Sequence, residues 1–137
     1  MELQCKINVS AAAKAKIFDL WTNADKRKLW EDDLESFVID GAIKAGGKGK
    51  MKLQGKPEMD FTIIEAIEGE AYSERYDLPF GAMIFRHRLL TEGGKSYISH
   101  SVRLEKTAVT EDDIAFLSGV FADFPITTLR IKNLLEG

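Results

Sequence analysis

The chain has 137 residues, 45% of them hydrophobic and 30% charged, with a formal net charge of −3. This is a single domain over residues 1–137, with enough chain for a real core and no positive field to attract nucleic acid or an anionic membrane. The one cysteine excludes an internal disulfide and suits a reducing, cytoplasmic setting, and no uninterrupted apolar run reaches the roughly 18 residues of a membrane span.

Leu3, Cys5, Ile7 and Val9 alternate with Glu2, Gln4, Lys6 and Asn8. That pattern predicts a first strand with one buried face, not a secretory leader. Ser10 is placed to cap a helix from Ala11 to about Trp21, with Ala13, Ile17, Leu20 and Trp21 on its apolar face. Asn23 and Asp25 end it, and a second short helix runs from about Ala24 to Trp30. Six strands follow, over about Leu34–Asp40, Gly47–Gln54, Met59–Glu68, Ala71–Leu78, Ala82–Glu92 and Lys95–Lys106, separated by glycine-bearing turns. From Thr110 the period changes. Ile114, Leu117, Phe121, Phe124, Thr128, Ile131 and Leu135 recur at alternating spacings of three and four, one face of a helix about six turns long. Thr110 and Asp113 form a capping-box-like start. Pro125 removes a backbone hydrogen bond and is expected to kink the axis near Phe121–Phe124. A long helix with one apolar face, after a run of antiparallel strands, must lay that face on the sheet, and a curved sheet so closed tends to leave a hollow.

Ile7-Asn8-Val9-Ser10, a helix, Thr22-Asn23-Ala24-Asp25 and Leu29-Trp30 are similar to the strand, helix and "TDPE…W" segment of the START-like, polyketide cyclase/Bet v 1-like (SRPBCC) superfamily. Asn23-Ala24 stands where that family usually has Asp-Pro. Gly41…Ala45-Gly46…Gly49 resembles its "G…PG..G" turn, and Leu89…Gly93-Gly94…Ile98 its later hairpin, with Lys95-Ser96 in place of Gly-Thr. The resemblance implies an α+β helix-grip fold: seven bent antiparallel strands wrapped on the C-terminal helix, with two short helices after strand 1. It further implies binding of a hydrophobic small molecule (lipid, sterol-like, polyketide or isoprenoid) as carrier or sensor. Two alternatives come with it: a cyclase- or dehydratase-like enzyme using a cavity histidine, and a protein-binding module of the chaperone-activator or toxin type.

Gly93-Gly94 between two alternating strands predicts a two-residue hairpin turn. Leu89 then faces Ile98, His87 faces His100, Phe85 faces Val102 and Met83 faces Leu104, all on one face. That face is apolar except for the chain's two histidines. The other face, with Ile84, Arg86, Arg88, Ser99, Ser101 and Arg103, is expected to meet solvent. Two imidazoles in an apolar wall do not both charge cheaply, so at least one is expected neutral at pH 7. The pair has four readings: a hydrogen-bonded or water-bridged packing pair, a polar anchor for a ligand, an acid/base pair acting on a substrate, or part of a metal site completed by Cys5. No sequence-local metal motif supports the last, and no cofactor is expected.

On the preceding strand Tyr72, Glu74 and Tyr76 share one face, and Ser73, Arg75 and Asp77 the other. An even loop over Leu78–Gly81 sets Tyr72 across from His87 and Tyr76 across from Met83; an odd loop turns Arg75 inward. The tyrosines are favoured, because a phenol tolerates half-burial better than a guanidinium. Met83, Phe85, Val102, Leu117, Phe121 and Phe124 are therefore the apolar candidates for ligand contact, with Leu117, Phe121 and Phe124 as its roof. Trp30, Tyr72, Tyr76, His87 and His100 are the polar or aromatic ones, and His87 and His100 the catalytic candidates. The expected partner is a hydrophobic small molecule, with the chain a monomer or weak homodimer, bound to no nucleic acid and inserted in no membrane.

Overall fold

A computed structural model describes residues 1–137. The alternating first segment forms strand β1 (Glu2–Val9), followed by a 3-10 turn (Ala11–Ala15), helix α1 (Ile17–Thr22) and helix α2 (Ala24–Arg27). Then come β2 (Leu34–Asp40), β3 (Lys48–Leu53), β4 (Met59–Ile67), β5 (Ala71–Leu78), β6 (Gly81–Glu92) and β7 (Lys95–Glu105). The chain closes with α3 (Glu111–Phe121) and α4 (Phe124–Glu136). The strands make one antiparallel sheet in the order β1-β7-β6-β5-β4-β3-β2. The helices pack on its inner face, as an amphipathic helix beside a one-sided sheet requires. The α+β helix-grip architecture expected from the sequence is the one observed.

The expected single helix after β1 is divided. Ser10 accepts from Ala12 N at 3.2 Å, and Ala13 N donates to Ser10 O at 3.0 Å, so the small alanines wind tightly and drop Ala13 into the core. The second helix ends at Arg27 instead of Trp30. Tertiary anchors stop it: Trp30 Nε1 donates to Leu20 O at 2.8 Å, and Arg27 is drawn toward β5.

The C-terminal helix breaks at Ala122–Asp123 and restarts with Pro125 in the first turn of α4, where a missing N–H costs nothing. Counted through this break, the segment Glu111–Glu136 has 26 residues and a mean hydropathy of 1.4 in its most apolar stretch, enough by length and composition to cross a membrane. In this fold one side of it packs on the sheet, where Leu117, Thr128 and Ile131 are sealed, while Phe116, Ile126, Leu129 and Leu134 stay exposed. Ile114, expected on the inner face, is 43% exposed. Asp113 takes the inward place, held by its capping box with Thr110 and by Lys106 Nζ at 2.7 Å.

The outer face of the sheet is less wet than its polarity suggests. Ile84, Ser99 and Ser101 are buried, because long neighbours lie across them. Gln4 donates to Ser99 Oγ at 2.7 Å, and Arg88 and Arg103 fold back onto Glu65 and Glu105. At the β2–β3 end, Phe37 and Phe61 stack at 5.4 Å with planes 8° apart. Gly49 makes room for them: a β-carbon there would meet the Phe61 ring and lie 2.6 Å from Val38 O.

Candidate ligand-binding site

The β6–β7 hairpin sets the geometry. Gly93 and Gly94 take φ of 55° and 78°, as a two-residue primed turn requires, and the ladder pairs Glu92 with Lys95 and His87 with His100. The two imidazoles stack at 4.4 Å between ring centroids, with planes 27° apart. The β5–β6 loop is of the even kind: Tyr72 pairs with His87 and Tyr76 with Met83. Cys5 sits opposite His100 on β1. No three His, Cys, Asp or Glu side chains converge in metal-binding geometry.

The histidines lie in an aromatic enclosure. Trp21 Nε1 donates to His100 Nε2 at 3.3 Å, which makes that nitrogen the unprotonated one. Trp30 lies 5.5 Å from His100 and 6.1 Å from His87, while Trp21 and Tyr72 each meet His87 edge-on at 6.0 Å. His87 Nδ1 is buried with no partner. Burial holds both rings neutral. It pushes His100 down to about 3, with Arg27 adding to the effect. It pushes His87 well below its ordinary value, with His100 and Arg27 as further causes.

Beside the pair lies a charge cluster that sequence reasoning did not assemble. Arg27 Nη1 donates to Glu74 Oε2 at 2.7 Å, and Nη2 donates to Glu31 Oε1 at 2.9 Å. Tyr72 and Tyr76 donate their hydroxyls to the two Glu74 oxygens at 2.7 and 2.9 Å. The guanidinium also covers the Phe37 ring at 4.1 Å. Burial alone would lower the Arg27 pKa, but Glu31 and Glu74 more than reverse it. Burial followed by the Glu74 charge raises both phenols, so they stay protonated as donors. One signal for Glu74 was available: it alternates with Tyr72 and Tyr76, so turning the tyrosines inward turns the carboxylate inward too. A buried carboxylate then demands a cation, but nothing local in the sequence names Arg27.

These side chains occupy the space between helices and sheet. Two clefts lie elsewhere: one of about 690 Å³ along Arg75, Asp77, Pro79 and Lys106, the other of about 400 Å³ along Asn23, Ala24, Phe37 and Ile43. None of the eleven candidate ligand residues lines either. Leu117 is sealed onto Met83, Val102 and Leu104. Around that cluster Leu3, Leu78, Phe85, Val120, Phe121 and Phe124 pack together while each keeps some exposure. Phe124 stands 5.0 Å from Phe121 and 6.3 Å from Phe85.

The overall fold recurs in solved structures. A protein from Mesorhizobium loti, MLL2253, superposes with a TM-score of 0.74 at 10% identity, covering 99% of this chain and 97% of its own. Ara h 8.0201 gives 0.71 at 16% identity, covering 99% and 97%. The Aha1 dimer from Colwellia psychrerythraea gives 0.67 at 19% identity, covering 99% and 96%. The fold is that of the SRPBCC, Bet v 1-like superfamily. No family model matches the chain, and no curated protein does. At these identities the likeness concerns the fold alone.

Proposed function

We propose that this SRPBCC-fold protein binds a small hydrophobic molecule at the seam between the α3–α4 joint and the sheet. The observation that carries the reading is the partial exposure of Leu3, Phe85, Phe121 and Phe124 around the sealed Met83, Val102, Leu104 and Leu117. An apolar patch left half-open at a helix break favours a small apolar occupant. Phe85 also meets Tyr76 edge-on at 5.4 Å, so a ligand at the seam approaches the Glu74–tyrosine cluster. Chemistry by His87 or His100 is the weaker alternative. Both rings are neutral and enclosed by Trp21, Trp30 and Tyr72, with no carboxylate bound to either ring.

Protein docking is a second reading, favoured by the outward apolar side chains of the same helices. Phe116 is 44% exposed, Ile126 55% and Leu129 46%.

Titration with the neutral probe N-phenylnaphthylamine separates the two. Phe124→Asp should weaken probe binding at least about tenfold with the fold retained, a loss of about 1.4 kcal/mol. Phe116→Ser should leave binding unchanged. The opposite pattern moves the site to the outer helix surface. Native mass spectrometry of the purified protein should in addition show an added apolar mass that Phe124→Asp loses.

A further inference from the structure

The floor of the seam is a row of inward-facing side chains. Leu3, Val102, Phe85 and Glu74 follow one another across β1, β7, β6 and β5, because residues paired across a ladder share a face. Phe121 and Phe124 meet this row from the two sides of the helix break, with Phe124 at 6.3 Å from Phe85 and 5.0 Å from Phe121. No two of these rings lie flat on each other. Their planes meet at 44° for Phe85–Phe124, 50° for Phe121–Phe124 and 86° for Tyr76–Phe85. Rings set at such angles offer both electron-rich faces and electron-poor edges to whatever lies between them.

No interior charge is left over to receive a ligand's. The charged side chains buried in the fold are Arg27, Glu74 and Asp113, and each is already paired: the first two with each other, Asp113 with Lys106. The hydroxyls beside the seam are also committed. Thr127 and Thr128 donate to Phe124 O at 3.2 and 2.6 Å, and Tyr76 donates to Glu74. The next inward row, Cys5, His100, His87 and Tyr72, adds no charge, because both imidazoles are neutral. Asp123, at the helix break, is exposed to water, where its charge is screened.

Taking the seam as a ligand site, as above, we propose that its occupant is an uncharged aromatic compound whose ring sits among Phe85, Phe121 and Phe124, and not a fatty acid, another charged amphiphile or a saturated hydrocarbon. The occupant follows from charge complementarity at two scales. An aromatic edge or face laid against a tilted phenylalanine gains an attraction between ring quadrupoles that a saturated ring of the same size does not. A carboxylate or ammonium carried into the seam would lose its water and find no free counter-charge in exchange.

The test compares probes on one skeleton: 2-phenylethanol, 2-cyclohexylethanol, phenylacetate and 2-phenylethylammonium. Ring resonances of Phe85, Phe121 and Phe124 in the full-length protein give each affinity from its titration curve. The saturated alcohol has the larger apolar surface, so burial alone would make it the tighter binder. 2-Phenylethanol should instead bind about threefold more tightly than 2-cyclohexylethanol, and about fivefold more tightly than either charged probe. Phe85→Leu keeps an apolar side chain and removes a ring. It should abolish or reverse the preference for phenyl without weakening the cyclohexyl probe. Phe124→Leu should do the same from the helix side, which keeps the test decisive should Phe85→Leu disturb the sheet. Cyclohexyl binding as tight as phenyl or tighter, with shifts at the three phenylalanines, overturns the aromatic occupant and leaves the seam as a ligand site. Equal or tighter binding of a charged probe overturns the uncharged one in the same way. Absence of shifts at Phe85, Phe121 and Phe124 with every probe at millimolar concentration overturns the ligand site itself, and the aromatic occupant with it.

Discussion

Arg27 and Glu74 meet at 2.7 Å inside the fold, with side chains 4% and 1% exposed. One comes from a short helix near the N-terminus and the other from the middle of the sheet. Their contact fastens the α2 segment to β5, and with it Trp30, whose ring lies 5.6 Å from the guanidinium. Neither charge has water to fall back on. The phenols of Tyr72 and Tyr76 complete the carboxylate's shell.

Removing one member of this pair strands the other. Glu74→Gln or Arg27→Met should each lower unfolding stability by about 3–5 kcal/mol. Arg27→Met combined with Glu74→Leu should cost less than the sum of the single changes, because the fully buried Glu74 charge leaves with its partner and only Glu31, whose side chain keeps 16% exposure, loses its cation. Urea unfolding of the four proteins measures both effects. Additive losses would remove the pair from this role.

Acid should weaken the fold through the histidines. The unfolded chain protonates them near their ordinary 6.5, whereas the folded chain protonates His100 only at about 3, and His87 is likewise displaced far downward. Between those values the unfolded state binds more protons, so their contribution is complete above about pH 6.5 and is lost as pH falls toward 3. For His100 the loss is on the order of 5 kcal/mol. Stability measured against pH should therefore be flatter in His100→Gln than in the parent protein. Parallel curves would show that the ring is not held neutral.

Gly49 should not accept a side chain. Gly49→Ala brings a methyl against the Phe61 ring and Val38 O, and should cost about 1–3 kcal/mol as the Phe37–Phe61 stack shifts. Gly41→Ala, by contrast, meets nothing nearby and should cost only the strain of its positive φ. Thermal unfolding of the two variants gives the comparison.

The start of α3 should depend on its cap. Thr110→Ala removes the acceptor for Asp113 N, at 3.2 Å, and should cost about 1 kcal/mol. Thr110→Ser keeps the acceptor and should restore most of it. Amide exchange at Glu111–Ile114 should follow the same order.

Much of this molecule was legible in one dimension. Alternation in β1, β6 and β7 is a period-two signal, and Gly93-Gly94 ties the register of the central hairpin to a turn only two residues long. That hairpin places His87 against His100 with no long-range information. The break in the last helix was legible as a kink at Pro125. Its effect on Ile114 was not, since the inward place at Asp113 is secured by Lys106 from outside the helix. The short helices were misjudged because their ends are set by Trp30 and Arg27 reaching partners on other elements.

Periodicity and turn chemistry act between near neighbours, so the strands, the register of the β6–β7 hairpin and most of the apolar face of the last helix follow from the amino acids alone. What fills the inner face is settled only where distant segments meet. Arg27, Glu31 and Glu74 are separated by up to 47 positions yet share one desolvated site. The cost of burying each charge is offset by a partner that no local pattern specifies, so the cluster exists only in the folded chain.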